Sequence, residues 1–305
     1  MHPSDYGTAV QRPADFDRFW AQALAEAEAV PLNGRVERSE YWSTAEVQVY
    51  RVSFNSLGEV RVGGWYVTPS GPGPFPAQIF TPGYISDPAI HFGWAREGYA
   101  TLMLAHRGKL GSTSQWNPGY PGVLTHNITD KNTYSYRGIY MDAVRGFDLL
   151  LTLPKVRPDR VAAQGSSQGG ALTTVVCAFR GERIIAAVAG APYLTGFMEA
   201  IRLTRSYPYE EINEYLRHYP ARVDQVRDTL AYFDCHNLAP MVKCPILVNI
   251  GMQDDICPPE TGFEYFRRLG SDQKELKVYD PAGHDAGRHV NDALIRAHLA
   301  RYLKA

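Results

Sequence analysis

The chain has 305 residues, of which 45% are hydrophobic and 21% charged, and its formal net charge at pH 7 is −1. This balance excludes the strongly basic surface typical of proteins that bind nucleic acids or anionic membranes, and no apolar run approaches the roughly 20 residues of a membrane span. The N-terminus has no apolar signal region, and the four cysteines include no CxxC pair, so we expect reduced thiols in a cytoplasmic protein.

No sequence pattern indicates a metal or an organic cofactor. The P-loop, the dinucleotide-binding GxGxxG after a strand and the HExxH zinc motif are all absent. Cys235 and His236, followed by Cys244, match no zinc-finger spacing. We therefore expect chemistry that relies on the protein's own side chains.

The first predicted element is an amphipathic helix in "RPADFDRFWAQALAEAEA", residues 12–29, where the apolar side chains recur at helical spacing and Pro13 suits the first turn. Next come two β-rich runs, "EVQVYRVSF" and "VRVGGWYVTP", around the turn "NSLGE". This pattern predicts an antiparallel hairpin.

After Pro74 short apolar runs alternate with helical patterns. The predicted strands are "AQIFTPG", "YATLMLAHRG", "RVAAQG", "IIAAVAGAP", "PILVNIG" and "ELKVYD", and the helical patterns follow Tyr136, Gly169, Pro259 and Gly287. Nearly continuous apolar strands separated by helices are typical of a parallel sheet covered on both faces. The sequence thus predicts an α/β fold with a mostly parallel central sheet and an antiparallel N-terminal edge.

Nothing in the sequence divides the chain into separate domains. We expect a single domain over residues 1–305, with a helical N-terminal arm at 1–45. Residues 111–135 form a long polar loop, of a length that is usually functional or an interface. Residues 193–242 are predicted to be a helical insertion near the active-site edge of the sheet.

A GxSxG pentapeptide, Gly165 to Gly169 with Ser167 in the middle, lies where a strand pattern meets a helix pattern. This context is typical of a nucleophile elbow, a sharp turn that exposes the serine hydroxyl. Gly165 and Gly169 fit the turn because its shoulders leave no room for Cβ atoms. The helix N-terminus favours negative charge developing nearby. An ordinary glycine-rich strand–helix turn is the alternative.

A serine hydroxyl needs a base, and in such folds the acid and then the histidine follow the serine along the chain. Asp254 comes just after the strand "PILVNIG", and His284 comes in a short glycine-flanked loop after "ELKVYD". The carboxyl ends of parallel strands meet at one edge of the sheet, so we expect Ser167, Asp254 and His284 to converge there.

Each of these assignments has a competitor in the sequence. Asp255 could replace Asp254, which is nearer the strand end. His289 and His298 belong to the terminal helical pattern, where packing or surface roles are more common. Asp285 is interpreted as a solvated turn residue.

An acyl-transfer site also needs two fixed N–H donors, an oxyanion hole, for the negative oxygen of the transition state. One is expected to be the amide of Gln168, the residue after the serine. The other should come from the loop after "AQIFTPG", where Pro82 has no N–H and Gly83 makes the bend. This leaves the amide of Tyr84, with a plain turn as the alternative.

These residues resemble those of the acetyl xylan esterase and cephalosporin C deacetylase group of α/β-hydrolases, carbohydrate esterase family 7. The matching segments, in order over nearly the whole chain, are "PADFDRFWAQAL", "PGYIS", "THNITDKNTYSYRGIYMDAVRG", "GSSQGGAL", "GMQDDICPP" and "GHD". The resemblance implies a catalytic triad of Ser167, Asp254 and His284, with the amides of Tyr84 and Gln168 as the oxyanion hole.

The resemblance also implies an assembly and a substrate class. Such proteins typically form hexamers whose active sites face an internal cavity, which would admit small acetylated sugars and alcohols but not polymers. Arg107 matches the arginine of an Arg-Gly-Gln motif that supports the elbow from behind. Lys109 replaces the glutamine of that motif, and Asp285 replaces a glutamate that usually follows the histidine.

We therefore expect a cofactor-independent serine esterase that removes acetyl or other small acyl groups, acts on a small acetylated substrate and forms a homo-oligomer. The alternative is an acyltransferase with the same triad and an alcohol or amine acceptor in place of water. A non-catalytic protein on this fold is a third possibility, disfavoured by the apparently complete triad.

Overall fold

The computed structural model describes residues 2–304, apart from the side chains of residues 288 and 289. Within this part of the chain, nine β-strands join into one sheet. In chain order they are β1 (Arg35–Arg38), β2 (Val47–Asn55), β3 (Arg61–Pro69), β4 (Phe75–Thr81), β5 (Ala100–Ala105), β6 (Val156–Ser166), β7 (Ala186–Gly190), β8 (Ile246–Gly251) and β9 (Lys274–Tyr279). Their order across the sheet is β1-β2-β3-β5-β4-β6-β7-β8-β9.

The α-helices of the described residues lie mainly between the later strands. They are α1 (Phe16–Ala29), α2 (Phe92–Arg96), α3 (Ser135–Thr152), α4 (Gln168–Arg180), α5 (Phe197–Leu203), α6 (Glu210–His218), α7 (Val223–Leu230), α8 (Cys235–Leu238), α9 (Pro259–Arg268) and α10 (Arg288–Leu303). Among these residues, no helix is both long and apolar enough to cross a lipid bilayer.

The strands from β4 onward pair in parallel, as their apolar sequences predict. Every residue of β5, β7 and β8 is buried, because helices cover both faces of the sheet. Successive side chains of β4 show the two layers. Ile79 packs into the core that contains α1, α3, α4 and α9, whereas Phe80 packs into the core formed with α2 and α10. The expected mostly parallel sheet with helices on both faces is confirmed.

The N-terminal edge of the sheet is antiparallel, as expected. β2 pairs with β3 around the turn that contains Gly58, and β3 pairs antiparallel with β5. β1 extends this edge and was not predicted. Its sequence Arg-Val-Glu-Arg is exposed at every position, so it shows no hydrophobic alternation, although such charges are typical of an edge strand.

Residues 193–242 contain α5 to α8 and lie between β7 and β8 in the chain. Two contacts connect them to loops at the carboxyl edge of the sheet. Glu211 of α6 accepts a hydrogen bond from Tyr84 after β4, and Thr204 donates to the backbone of Asp255 after β8. The single domain over residues 1–305, the arm at 1–45 and the insertion at 193–242 stay predictions.

Candidate active site

Ser167 occupies a sharp turn between the end of β6 and the start of α4. Its backbone has φ 59° and ψ −125°, a conformation that costs free energy for a residue with a side chain. The surrounding sheet holds this conformation. The Ser167 amide donates to the Gly190 carbonyl at 2.9 Å, and the Ser167 carbonyl accepts from the amide of Tyr193 at 3.2 Å.

The glycines on either side of Ser167 are required by close packing against β4. A Cβ on Gly165 would lie 2.4 Å from the Thr81 hydroxyl oxygen, and one on Gly169 would lie 2.2 Å from the Thr81 carbonyl oxygen. The Thr81 hydroxyl itself donates to the Gly169 carbonyl at 2.7 Å. The end of β4 is therefore pressed directly against the turn that carries Ser167.

Asp254 and His284 lie in the loops after β8 and β9 and bond to each other. Nδ1 of His284 is 2.9 Å from one carboxylate oxygen of Asp254 and 3.1 Å from the other. The amides of Ile256 and Cys257 donate to the same carboxylate at 2.9 and 2.8 Å. Because an ionised carboxylate only accepts hydrogen bonds, we assign the Nδ1 proton to His284, which leaves Nε2 free to act as a base.

The competing acid has different surroundings. The Asp255 side chain is exposed, and its carboxylate lies 3.3 Å from the Ser206 hydroxyl. The backbone carbonyl of Asp255 accepts from the Thr204 hydroxyl. Of the two adjacent aspartates, it is Asp254 that hydrogen-bonds His284.

Of the competing histidines, His298 does not join this group in the described structure. His298 is buried on α10, where burial lowers its pKa, and its ring packs against that of Tyr302 with 5.4 Å between centroids. The side chain of His289 lies outside the described part of the chain. Asp285 is exposed, as expected of a turn residue.

The Cys257 thiol adjoins the Asp254–His284 pair, and the sequence patterns did not indicate it. The Ser167 side chain is near this thiol and acts to lower its pKa. The Cys257 sulfur, a nitrogen of His284 and a carboxylate oxygen of Asp254 all lie within 4.8 Å of one another. Burial, reinforced by the Asp254 charge, raises the pKa of the thiol well above its ordinary value, so at neutral pH Cys257 is a compact, uncharged neighbour.

These same atoms form the one group of metal-ligand type found among the described residues. An ion there would compete with the hydrogen bond between Asp254 and His284. Cys235 and Cys244, considered from the sequence, are buried free thiols outside this group.

The side chain of Gln168 is fully buried and held by several partners. Its carbonyl oxygen accepts from the Tyr136 hydroxyl at 2.7 Å, and its amide nitrogen lies 3.3 Å from the Gly83 carbonyl and 3.0 Å from Nε2 of His106. Burial, aided by the charge of Lys109, lowers the pKa of His106 to about 4. His106 is therefore neutral, with Nε2 accepting from Gln168 and Nδ1 donating to the Arg107 carbonyl at 2.7 Å.

Tyr84, in the loop after β4, is held through its side chain and its carbonyl. Its hydroxyl donates to Glu211 at 2.6 Å and accepts from the amide of Leu124 at 3.1 Å. The Lys109 ammonium donates to its backbone carbonyl. The loop that carries the expected amide donor is thus attached to α6 and to the segment after β5.

Arg107 is held at the end of β5 by contacts with α3 and with the turn between β2 and β3. Its guanidinium forms two 2.8 Å hydrogen bonds with the carboxylate of Asp142 on α3, and a third bond reaches the Leu57 carbonyl at 2.9 Å. A Cβ at Gly138 of α3 would lie 2.3 Å from this guanidinium. Arg107 therefore attaches α3 to the end of β5, and the neighbouring His106 makes the direct contact with the Ser167 turn through Gln168.

The sheet order, together with a serine in a strained strand–helix turn and a hydrogen-bonded histidine–aspartate pair in the loops after β8 and β9, defines the chain as an α/β-hydrolase. Comparison with known proteins gives the family. The model of the acetyl xylan esterase family, AXE1, matches residues 3–302, and the chain therefore belongs to this family. The family resemblance seen in the sequence is confirmed, and so is the expectation of a carboxylic-ester hydrolase.

Individual relatives agree with this assignment. An acetyl xylan esterase from Paenibacillus sp. R4 superposes with a TM-score of 0.91 at 30% identity, covering 99% of this chain and 98% of its own. Acetyl Xylan Esterase 1 from Thermoanaerobacterium sp. JW/SL YS485 gives 0.89 at 26% identity, covering 98% of both chains.

A relative known from its sequence, the acetyl esterase Axe7A of Xylanibacter ruminicola, is 26% identical over 285 residues, or 87% of this chain. The present chain spans 62% of the length of that protein. These relatives give no support to the acyltransferase alternative.

We predict that Gly169→Ala disrupts the Ser167 turn, because the new methyl group would overlap the Thr81 carbonyl, part of the rigid sheet. We expect the free energy of unfolding to fall by about 3 kcal/mol, measured by denaturant titration, and esterase activity to fall with it.

Gly181→Ala is the matched control, because a Cβ there has nothing within 4 Å and the backbone φ is −53°. It should leave stability and activity near those of the parent. Equal effects of the two substitutions would contradict the packing argument.

Proposed function

We propose that the chain hydrolyses acetyl and other small acyl esters of sugars or small alcohols through a covalent acyl-enzyme on Ser167. The observation that carries the proposal is the hydrogen bond between His284 and Asp254, formed beside the Cys257 thiol, whose pKa also responds to the Ser167 side chain. A base oriented by a buried carboxylate beside a serine in a strained turn is the arrangement that acyl transfer to serine requires.

In the proposed mechanism, Nε2 of His284 takes the hydroxyl proton of Ser167 as its oxygen attacks the ester carbonyl. Asp254 holds the imidazole in the required tautomer and stabilises its charged form. His284 then protonates the leaving alcohol, and the acetyl group stays on Ser167. A water molecule, deprotonated by the same histidine, releases acetate and restores the enzyme.

The negative oxygen formed in each step is bound by the amides of Gln168 and Tyr84. The Gln168 amide is at the N-terminus of α4, where the helix dipole favours negative charge. Buried hydrogen bonds on their side chains fix both residues, which supports this role, because preorganised donors need no rearrangement during the reaction.

The substrate class follows from the relatives' names, acetyl xylan esterase and acetyl esterase. We expect short acetylated sugars and cephalosporin C-type acetyl esters to be accepted.

We also expect a homo-oligomer, with a hexamer as the form suggested by the family resemblance, and static light scattering can measure it. The exposed apolar side chains of Ile85 and Leu110, next to Tyr84 and Lys109, offer a surface that another subunit could cover. A cytoplasmic location stays a prediction, supported by four buried free cysteines.

Acetyl esters should be hydrolysed better than long-chain esters. We expect kcat/KM for a p-nitrophenyl ester to fall by at least about tenfold from acetyl to octanoyl, because each methylene that a small pocket rejects costs roughly 1–3 kcal/mol. Acetate release from acetylated xylo-oligosaccharides and from cephalosporin C is measured alongside. Faster hydrolysis of octanoyl esters would contradict the proposed substrate class.

Ser167→Ala should remove nearly all esterase activity, lowering kcat by about six orders of magnitude, because no acyl-enzyme can form. The adjacent Ser166→Ala is the matched control, and it should keep activity and react with a fluorophosphonate probe like the parent. Retention of more than a few per cent of activity by Ser167→Ala would rule out this nucleophile.

Asp254→Asn should lower kcat by about 10⁴, because the amide would face His284 with a donor and favour the wrong imidazole tautomer. Asp255→Asn should change kcat by less than about threefold, because Asp255 bonds Ser206 and faces solvent. The pair of variants separates two adjacent residues of the same type. The reverse ranking of the two variants would identify Asp255 as the acid.

A further inference from the structure

Lys109 is a buried cation close to the proposed oxyanion hole, and the proposed mechanism has not used it. It lies in the loop after β5 and is 3% exposed. Its ammonium donates to the backbone carbonyl of Tyr84 and sits 4.6 Å from the centre of the Tyr120 ring. Burying an ammonium is costly, so a lysine here needs an interaction that a neutral side chain would not supply as well.

The contact with Tyr84 fixes a peptide plane adjacent to the proposed donor. The Tyr84 amide belongs to the peptide before this residue, and the carbonyl bonded by Lys109 belongs to the peptide after it. The residues that follow, Ile85 to Asp87, are exposed, so the loop lacks packing on that side. With the Tyr84 ring attached to Glu211, the lysine supplies the second attachment that limits rotation of the backbone between them.

The segment from His106 to Lys109 contacts both residues of the proposed oxyanion hole. His106 holds the Gln168 side chain at one end, and Lys109 holds the Tyr84 carbonyl at the other. Arg107 attaches the same segment to α3 through two hydrogen bonds to Asp142. One short segment thus contacts both residues whose amides are the proposed donors.

We propose that Lys109 is a positioning residue for the oxyanion hole, whose ammonium holds the loop so that the Tyr84 amide points to the place where the negative oxygen forms. The inference rests on the proposed function and deepens it. The lysine itself touches no reacting atom. Lys109 is proposed to help stabilise the transition state and not the bound substrate. Its loss should therefore lower kcat more than it changes KM.

The charge of Lys109 makes this contribution dependent on pH. Burial lowers the pKa of Lys109 to about 8, and the nearby carboxylate of Asp87 partly opposes this effect. The other ionisable groups that the ammonium contacts or acts on are Tyr84, Tyr120 and His106. Burial raises the pKa of both tyrosines, and His106 is neutral, so none of these three changes its charge between pH 8 and 10.

Above pH 8 the ammonium becomes an amine, which donates a weaker hydrogen bond than the charged form. Activity should therefore decline as pH rises through 8. Stability behaves in the opposite way. Between pH 8 and 10.5 the unfolded chain binds more protons at this lysine than the folded chain, so its contribution to the free energy of unfolding increases with pH. The loss of activity is thus not a loss of folding at this residue.

The test compares the parent enzyme with Lys109→Met. Methionine has an unbranched side chain of similar length but lacks the hydrogen-bond donor and the positive charge. Initial rates of acetate release from an alkyl acetate are measured from pH 6 to 10 and corrected for spontaneous hydrolysis. The parent should lose activity through about pH 8. Lys109→Met should lower kcat about tenfold at pH 7 with KM within about twofold, and its rate should be flat from pH 8 to 9.5.

Lys131→Met is the matched control. Lys131 also lies over a tyrosine ring, 4.0 Å from the centre of Tyr232, and donates to the Tyr232 hydroxyl at 2.6 Å and to Asp15 at 2.9 Å. It has no contact with Tyr84 or Gln168 among these bonds. This variant should keep the kcat and the pH profile of the parent. Thermal unfolding at each pH confirms that the variants compared are folded.

The parent profile needs no variant, so the proposal stays testable even if Lys109→Met does not fold. A parent rate that stays flat to pH 9.5 overturns the proposal, as does a folded Lys109→Met with the parent's kcat or with the same alkaline decline. Failure of the proposed function looks different. In that case the parent releases no acetate, or Ser167→Ala remains active, whatever Lys109 does.

Discussion

The contact between the end of β4 and the Ser167 turn is the constraint on which the rest of the site depends. Thr81 leaves no space for a side chain at Gly165 or Gly169, so β6 and α4 meet at a distance that only glycine permits. Ser167 is thereby held in a costly backbone conformation at the carboxyl edge of the sheet. The same contact brings the loop after β4, with Tyr84, beside the start of α4. A single packing requirement therefore determines the direction of the serine and the neighbourhood of both proposed oxyanion donors.

The sheet brings the remaining groups to that edge, and loop contacts then complete the geometry. Parallel strands deliver Asp254 and His284 to neighbouring loops, and backbone amides within the first loop fix the carboxylate before it reaches the imidazole. This division of labour is common in α/β enzymes, because a rigid sheet sets the approximate positions and short polar contacts set the final orientations. Cys257 adds a small, uncharged group beside the Asp254–His284 pair.

Much of this arrangement could be predicted from the sequence because it depends on local patterns. Among the residues that the structure describes, apolar runs and turn signals predict every strand except β1, whose exposed charges carry no alternation. The Gly-flanked serine and the polar residues after β8 and β9 could also be predicted, because each is recognised from its neighbours in the sequence. The contacts of His106 with Gln168 and of Glu211 with Tyr84 join residues 62 and 127 positions apart, and no periodicity encodes such pairs. Arg107 shows the same limit, since its residue type fits several partners and only the fold selects Asp142.

The polar groups around Tyr84 hold its loop in place at a cost in the free energy of folding, because charged side chains are buried there. Lys109 and Glu211 are both buried. Lys109 bonds the carbonyl of Tyr84 and Glu211 bonds its hydroxyl. Burial lowers the pKa of Lys109 and raises that of Glu211, and both shifts favour the neutral form of the side chain. Apolar residues of similar size would avoid these desolvation costs, so stability alone does not explain two separate buried charges around one tyrosine. Hydrogen bonds to charged groups are directional and strong, which suits a loop whose next residues are exposed. We expect a fold to keep such costly buried charges at a site where a hydrogen-bond donor, here the proposed Tyr84 amide, must already be oriented before the negative charge develops.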